Sequence, residues 1–224
     1  MKHRCGVTIT RVSAGRGLSE YRFDLSGGDL SLDFANTVSR RSLPERRAEH
    51  LNSYDDLVAF GKQSSVLSWQ EAARLRKRAR RHQREASRNL RDALQFREVL
   101  YHAFAARAAR RQVSVADLKK INDRAVEAMT RRALGHSNGG YRWNWLSENA
   151  DALERPLWHI AQAAADLLTS DGSAEVRQCD APDCAWLFLD RSRNRSRRWC
   201  DMKTCGNREK ARRHYQREHE EETP

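Results

Sequence analysis

The spacing of hydrophobic and polar positions near the N-terminus predicts two strands. Two alternating stretches, Tyr21–Leu25 and Leu30–Phe34, flank the pair Gly27 and Gly28. A two-residue glycine loop between alternating stretches is typical of a β-hairpin, and in that register the apolar side chains of both strands share one face. We therefore expect a small β-hairpin at the start of the folded part.

From about residue 53 onward, apolar positions recur every three or four residues, which indicates amphipathic helices. A serine followed three positions later by an acidic residue marks a helix start, and this pair occurs at Ser53, Ser68 and Ser114. Gly61 and Gly135 are suited to end the first and the last of these helices. The pattern predicts a mostly helical body.

Two further elements are predicted before the cysteine-rich end of the chain. An apolar stripe indicates a helix over about residues 151–170, and the turn-forming Ser137–Gly140 leads into the alternating Tyr141–Trp145. The predicted body is mainly α with a small N-terminal β-hairpin, an α+β fold.

Charge and composition limit which partners and which cellular compartment we expect for the protein. The 224 residues contain 42 Lys and Arg against 30 Asp and Glu, a net charge of +12, which attracts polyanions such as nucleic acid or anionic membranes. No stretch of about 18 apolar residues is present, and residues 1–20 lack the apolar run of a signal peptide, so we expect neither a membrane span nor secretion. The expected compartment is the cytoplasm, where thiols stay reduced and free to bind metals.

Four of the five cysteines predict a zinc site. Cys179, Cys184, Cys200 and Cys205 follow the spacing C-x4-C-x15-C-x4-C, in which each close pair can supply two corners of a tetrahedron. Four thiolates leave no open coordination position, so we expect one structural Zn²⁺ and no catalytic metal. Cys5 stands apart and receives no role.

The residues around the cysteines predict a small zinc module. Trp186–Leu189 is an apolar strand, residues 190–196 form a polar tip, and Arg197–Trp199 returns to the second pair, which describes a hairpin. Good helix formers follow Cys205. A knuckle, a β-hairpin and a helix around one zinc form a treble-clef-like arrangement, and so few apolar residues imply that zinc binding is coupled to folding of the module.

The zinc module is strongly basic. Between residues 185 and 217, eleven basic side chains face three acidic ones, a local net charge of +8. Because the guanidinium fork suits phosphate and guanine contacts, we predict that these side chains bind nucleic acid. They are Arg191, Arg193, Arg195, Arg197, Arg198, Lys203, Arg208, Lys210, Arg212, Arg213 and Arg217.

A second basic cluster covers Arg74–Arg91, where nine basic residues accompany Glu85 on one predicted helical stretch. Three interpretations stay open: a solvated helix face, a second nucleic-acid contact, or a docking surface for an acidic partner.

The motif around the cysteines resembles the CGNR zinc-finger family. The matching stretches are Trp186–Asp190, Asn194–Cys200 and the tetrapeptide Cys205–Arg208, after which that family is named. Gly28–Thr37 is similar to the opening of the ABATE domain, which precedes this finger. The resemblance implies a stress-induced bacterial transcriptional regulator whose finger binds DNA, with the four cysteines as metal ligands, the surrounding arginines as DNA contacts and no catalytic residue.

We accordingly predict four segments: a disordered basic tail (1–19), an ABATE-like helical domain (20–172), a CGNR-type zinc finger (173–217) and an acidic tail (218–224). The predicted function is a cytoplasmic, nucleoid-associated regulator that binds double-stranded DNA, with the helical domain as sensor or dimerisation body. The alternative is an RNA-binding or ribosome-associated protein. A homodimer and a small-molecule effector are left open, and we expect no enzyme activity, since His214 has no visible catalytic partner.

Four residues of the body are candidates to line an effector pocket: Asp33, Asn36, Trp143 and Trp145. In the other interpretation, Asp33 and Asn36 tie the N-terminal hairpin to the first helix, and both tryptophans fill the core.

Overall fold

The computed structural model describes residues 21–137 and 139–221. The predicted basic tail over 1–19, with Cys5, lies outside this part, as do residues 222–224. Within the described ranges the α-helices are α1 Leu30–Ala35, α2 Tyr54–Gln63, α3 Trp69–Arg81, α4 Gln83–Ala108, α5 Val115–Met129, α6 Arg155–Thr169 and α7 Asn207–Glu221. The strands form three antiparallel pairs: β1 Val38–Ser39 with β2 Ala48–Glu49, β3 Arg132–Ser137 with β4 Gly140–Trp145, and β5 Val176–Gln178 with β6 Leu187–Leu189.

The predicted hairpin over residues 21–34 is wrong in its position. Leu30–Ala35 is a helix, and the small N-terminal hairpin is instead the β1–β2 pair. Gly28 has a φ of +81°, and the Asp29 side chain then accepts a hydrogen bond from Ser31 N at 2.8 Å, which starts the helix. Leu32 and Phe34 are fully buried because α1 is packed on several sides, by α4, α6 and β6.

The helix starts predicted from serines are confirmed, whereas the prediction that Gly61 and Gly135 end helices is wrong. Ser53 and Ser68 form complete capping boxes, and Ser114 accepts a hydrogen bond from Asp117 N. Gly61 lies inside α2, where a Cβ atom would come within 2.8 Å of the Leu67 side chain. Gly135 lies in β3. The lack of a side chain at Gly61 therefore allows close packing of Leu67 against α2 and does not end the helix.

The basic stretch predicted as one helical run is divided at His82. α3 ends at Arg81 and α4 begins at Gln83, with His82 in a non-helical conformation at φ −125° and ψ 55°. α4 is the longest helix of the described chain and runs through the core, burying Phe96, Leu100 and Phe104. The predicted helix near 151–170 is confirmed as α6, and the strand at 141–145 as β4.

The zinc-site strands belong to the main core. Val176, Leu187 and Leu189, from β5 and β6, are buried in the same hydrophobic cluster as Leu32 and Phe104 of the body. The predicted zinc finger therefore shares its hydrophobic core with the predicted helical domain, because the apolar side chains of this short sheet lie against the helices. The fold class itself, mainly α with small hairpins and a cysteine-rich C-terminal module, is confirmed. No α-helix in the described ranges has the length and apolar character needed to cross a membrane.

Candidate zinc and nucleic-acid site

The four predicted cysteines meet at one point. Their sulfur atoms all lie within 4.8 Å of one another, and all four residues are buried. Cys184 and Cys200 are 3.7 Å apart and Cys200 and Cys205 are 3.6 Å apart between Sγ atoms. A tetrahedron with zinc–sulfur bonds of about 2.3 Å has sulfur–sulfur edges of about 3.8 Å. The cluster therefore fits one Zn²⁺ ion.

The electrostatics of the cluster also favour a cation. Hydrogen bonds with Cys184, Cys200 and Cys205 lower the pKa of Cys179. Hydrogen bonds with Cys179, Cys184 and Cys205 raise the pKa of Cys200. Four thiols this close cannot all ionise alone, since each thiolate opposes the next. A divalent ion removes that conflict by binding all four as thiolates.

Each cysteine pair sits on its own short turn. Cys179 and Cys184 lie in the loop between β5 and β6, where the Cys184 amide donates to the Ala181 carbonyl at 3.0 Å. Cys205 lies in a helical turn, Met202–Gly206, that continues into α7, and Asp201 caps this turn by accepting from Thr204 N. The prediction that the last ligand begins a terminal helix is confirmed.

The predicted hairpin between the cysteine pairs is wrong. Leu187–Leu189 pairs with Val176–Gln178, on the other side of the first cysteine pair, and not with residues 197–199. The long loop that follows is organised by Asp190, which is fully buried. Its carboxylate accepts hydrogen bonds from Ser192 N and Arg197 N, each at 3.0 Å. Asp190 therefore holds the arginine-rich loop in place, a role that counting charges missed.

Hydrogen bonds with the N-terminal third of the chain attach the zinc module to the body. Trp186 Nε1 donates to the Val38 carbonyl at 2.7 Å, the Leu189 amide donates to the Gly27 carbonyl at 2.8 Å, and Asn36 bonds the backbone of Leu187. Because the partners come from the N-terminal third of the chain, the two ends of the sequence form one structural unit.

Comparison with known families now places the molecule. The ABATE family, described as "Putative stress-induced transcription regulator", matches residues 28–171, and the CGNR zinc finger matches residues 175–218. The chain belongs to the ABATE family. No curated protein gives a significant match to it. The resemblance inferred from the sequence motifs is thereby confirmed, and the four-cysteine cluster is the zinc site of a CGNR finger.

Two of the predicted nucleic-acid contacts bind groups within the CGNR finger itself. Arg208, the arginine of the CGNR tetrapeptide, donates from Nη2 to Cys205 Sγ at 3.3 Å and to Asp183 Oδ1 at 2.8 Å. Arg197 donates to the carbonyls of Trp199 and Cys200, and its guanidinium lies 4.5 Å from the centroid of the Phe188 ring. Both side chains thus hold the finger together.

The other nine predicted basic residues lie at the surface of the finger. Arg191 and Arg195 share Glu175 at 3.7 and 3.4 Å, and Arg198 pairs with Asp180 at 2.8 Å. On α7, Arg212 pairs with Glu209 and Arg213 lies 5.8 Å over the Trp199 ring. Within the described part of the chain, the side chains of Arg193, Lys203 and Lys210 make no hydrogen bond or ion pair, and Arg217 bonds only the Arg213 carbonyl.

The second basic cluster forms a ridge on the ABATE body, along α3 and the first turns of α4. Arg74 pairs with Asp151 at 3.5 Å and Arg78 with Glu85 at 3.2 Å, so part of its charge is balanced locally. Trp69, which is 76% exposed, borders a groove of about 410 Å³ beside this ridge. All three interpretations of the cluster stay open.

The four candidate pocket residues have structural contacts. Asp33 accepts a hydrogen bond from Gly27 N at 2.7 Å, and burial is the main reason why its pKa rises to about 7. Trp145 is half-buried and stacks on Trp158 at 5.9 Å, whereas Trp143 is largely exposed, so its expected place in the core is wrong. Asp33 bonds to Gly27 and Asn36 bonds to Leu187, so both connect α1 to its neighbours and not the predicted hairpin to a first helix.

Proposed function

We propose that this ABATE-family protein is a transcriptional regulator that binds double-stranded DNA through its CGNR finger. The observation that supports the proposal is that two arginine-bearing elements of the finger are both held in fixed positions. The zinc cluster fixes the start of α7, the buried Asp190 fixes the loop from Arg191 to Arg198, and both elements bear outward arginines. Such a surface suits a rigid polyanion.

Most of the affinity would come from phosphate contacts. Arginines paired with a single exposed carboxylate, as Arg198 is with Asp180, lose little when they exchange that partner for a phosphate, because exposed pairs contribute at most about 1 kcal/mol. Each phosphate neutralised releases counterions and makes binding weaker as salt rises. Sequence preference would then come from arginines that reach guanine edges.

A triple substitution tests this function. Replacing Arg195, Arg198 and Arg212 by alanine should weaken binding to duplex DNA and reduce the slope of log K against log salt by up to about 3. The matched control replaces three exposed arginines of the body, Arg22, Arg46 and Arg111, which removes the same charge elsewhere. If both triple variants bind alike, the effect is net charge alone and the assignment to the finger fails.

RNA binding is the second candidate, because the same arginines suit an RNA backbone. Single-stranded RNA is usually bound by stacking on exposed aromatic rings. In the finger, Phe188 is buried, Trp186 is bonded to Val38, and Trp199 lies beneath Arg213. Tyr215, on α7, is 64% exposed and offers one ring for stacking. A single exposed ring on a surface with many arginines favours a duplex. A competition assay with labelled duplex DNA against structured RNA decides the question: RNA that displaces the DNA at equal or lower concentration would favour the RNA-binding reading.

We further propose that the helical ABATE body acts as sensor or dimerisation body in a cytoplasmic, nucleoid-associated protein without enzyme activity. His214, the candidate nearest to a catalytic role, lies exposed on α7 and is 3.2 Å from Glu218. DNA cleavage that requires a metal and is lost in the His214→Ala variant would contradict the non-enzymatic part of this proposal.

A further inference from the structure

Two uncovered apolar surfaces adjoin each other in sequence on the ABATE body. The first is the outer stripe of α5, formed by Val115, Leu118, Val126 and Met129. Helical spacing places these four on one face, away from Ile121 and Ala128, which are buried against the body. Val115 is 86% exposed and Val126 63% exposed. We call this surface the α5 stripe.

The second surface lies on the β3–β4 hairpin. Leu134 pairs directly with Trp143, and His136 with Tyr141, so these side chains share one face of the two-stranded sheet. The opposite face carries small and polar residues such as Ala133 and Asn144. The base of the hairpin is held on the body through Trp145, which stacks on Trp158, and the Arg132 guanidinium lies 5.4 Å from the centroid of the Trp143 ring. Farther along the same face, Leu134 is 63% and Tyr141 74% exposed. We call this hairpin the arm.

The exposed apolar face of the arm is expected to be buried against a partner. An isolated two-stranded hairpin is marginally stable in water, and this one presents its apolar face to solvent. The seven large apolar side chains of the arm and the α5 stripe leave roughly 800 Å² exposed, which matches the area that each partner buries in a standard protein interface.

We propose that the occupant is a second copy of the chain, with the arm of each subunit lying on the α5 stripe of the other. A two-fold axis buries both surfaces in both subunits and leaves neither the arm nor the α5 stripe free. The arm and the α5 stripe have similar lengths, since the 15 residues of α5 span about 22 Å and the six residues of β3 span about 20 Å. Charge also agrees: α5 carries three basic and three acidic residues, so it is a neutral contact between chains that each carry +12.

The test is the mass of the full-length, zinc-loaded protein in solution without nucleic acid, by light scattering and sedimentation. We expect twice the 25.9 kDa of one chain, and at least tenfold weaker association for Val126→Glu and for Leu134→Glu. Ala116→Glu introduces the same charge on an exposed position of α5 outside the stripe and should stay dimeric. Circular dichroism and zinc content confirm that each variant is folded.

Mixing the two weakened variants tests the reciprocal geometry. A mixed dimer of Val126→Glu and Leu134→Glu contains one intact contact between an arm and a stripe, whereas each separate variant contains none. The mixture should therefore associate more tightly than either variant alone. A monomeric wild type at about 100 µM, a dimer insensitive to both substitutions, or a mixture without recovery would each overturn the proposal. This dimer deepens the proposed role of the body in dimerisation, and since no DNA is present, the outcome is independent of the proposed DNA binding.

Discussion

Asn36, which follows α1, and Leu187, in β6, are joined by two buried hydrogen bonds across 151 positions of sequence. Asn36 Nδ2 donates to the Leu187 carbonyl at 2.8 Å, and the Leu187 amide donates to Asn36 Oδ1 at 2.9 Å. The amide side chain thus pairs with β6 as a neighbouring strand would. This pair connects the ABATE body to the first knuckle of the zinc finger.

Replacing Asn36 by alanine should destabilise the whole chain. The substitution leaves the backbone N–H and carbonyl of Leu187 buried without partners, which costs about 1–3 kcal/mol for each group left unsatisfied. Denaturant unfolding monitored by circular dichroism measures the change. Asn52→Ala, at an exposed position where the amide makes one surface hydrogen bond, is the control and should change stability by under about 1 kcal/mol. Equal stability of both variants would contradict the connecting role of Asn36.

Removing zinc should loosen the body as well as the finger. Because Val176, Leu187 and Leu189 lie in the main core, loss of the metal disorders strands on which the helices pack. We expect one Zn²⁺ per chain by elemental analysis, and a lower melting temperature in a single transition after chelation or in Cys200→Ser. Cys5→Ser should keep the full zinc content. Two separate transitions, with the helical one unchanged, would show that the finger is energetically independent.

The Arg97–Glu49 ion pair should be worth more than a surface pair. Arg97 is 2% exposed, and its two terminal nitrogens each lie 2.6 Å from a carboxylate oxygen of Glu49. Arg97→Met leaves the carboxylate without its partner and should cost about 3–5 kcal/mol. Adding Glu49→Gln removes the unpaired charge and keeps the oxygen that accepts from Leu51 N, so the double variant should regain stability. No recovery in equilibrium unfolding would mean that packing, not charge, explains the loss.

Replacing Arg208 should weaken zinc binding more than it weakens DNA binding. Its guanidinium bridges Cys205 and Asp183, so Arg208→Ala removes a donor from a zinc-bound sulfur and should weaken metal affinity by about 10–100-fold. Competition with a chromophoric chelator measures this. With zinc in excess, the variant should bind DNA nearly as wild type. Arg193→Ala is the control, because its exposed side chain lies away from the cysteines' hydrogen bonds and should leave zinc affinity unchanged.

Asp33 should make the fold less stable as pH rises toward neutrality. Burial raises its pKa to about 7, so the folded state holds a proton that the unfolded chain releases near pH 4. The stabilisation from that proton is complete below about pH 4 and is lost as pH passes 7. His159, whose pKa burial lowers to about 4, acts in the opposite direction in wild type and variant alike. The difference in unfolding free energy between Asp33→Asn and wild type should therefore grow in favour of the variant from pH 5.5 to 7.5. The exposed Asp123→Asn should show no such trend.

Local signals predicted the helices well and the strands poorly. A capping serine at Ser53 or Ser68 needs only residues three positions away, so its hydrogen bonds follow from the sequence. The alternation at Leu30–Phe34 had two solutions, a half-exposed strand or a helix buried on several sides. Only packing by α4, α6 and β6 selects the helix. The same reason explains β6, whose partner could lie on either side of the cysteine pair.

By itself, the sequence determined the zinc site, because four thiols at paired spacing can meet at one ion whatever surrounds them. It also determined the family, through the motif around those cysteines. The tertiary structure decided which arginines have partners within the finger, since Arg197 and Arg208 differ from Arg193 only in the carbonyls, sulfur and ring within their reach. It also decided that the finger strands lie in the core of the body, because burial depends on neighbours that are distant in sequence.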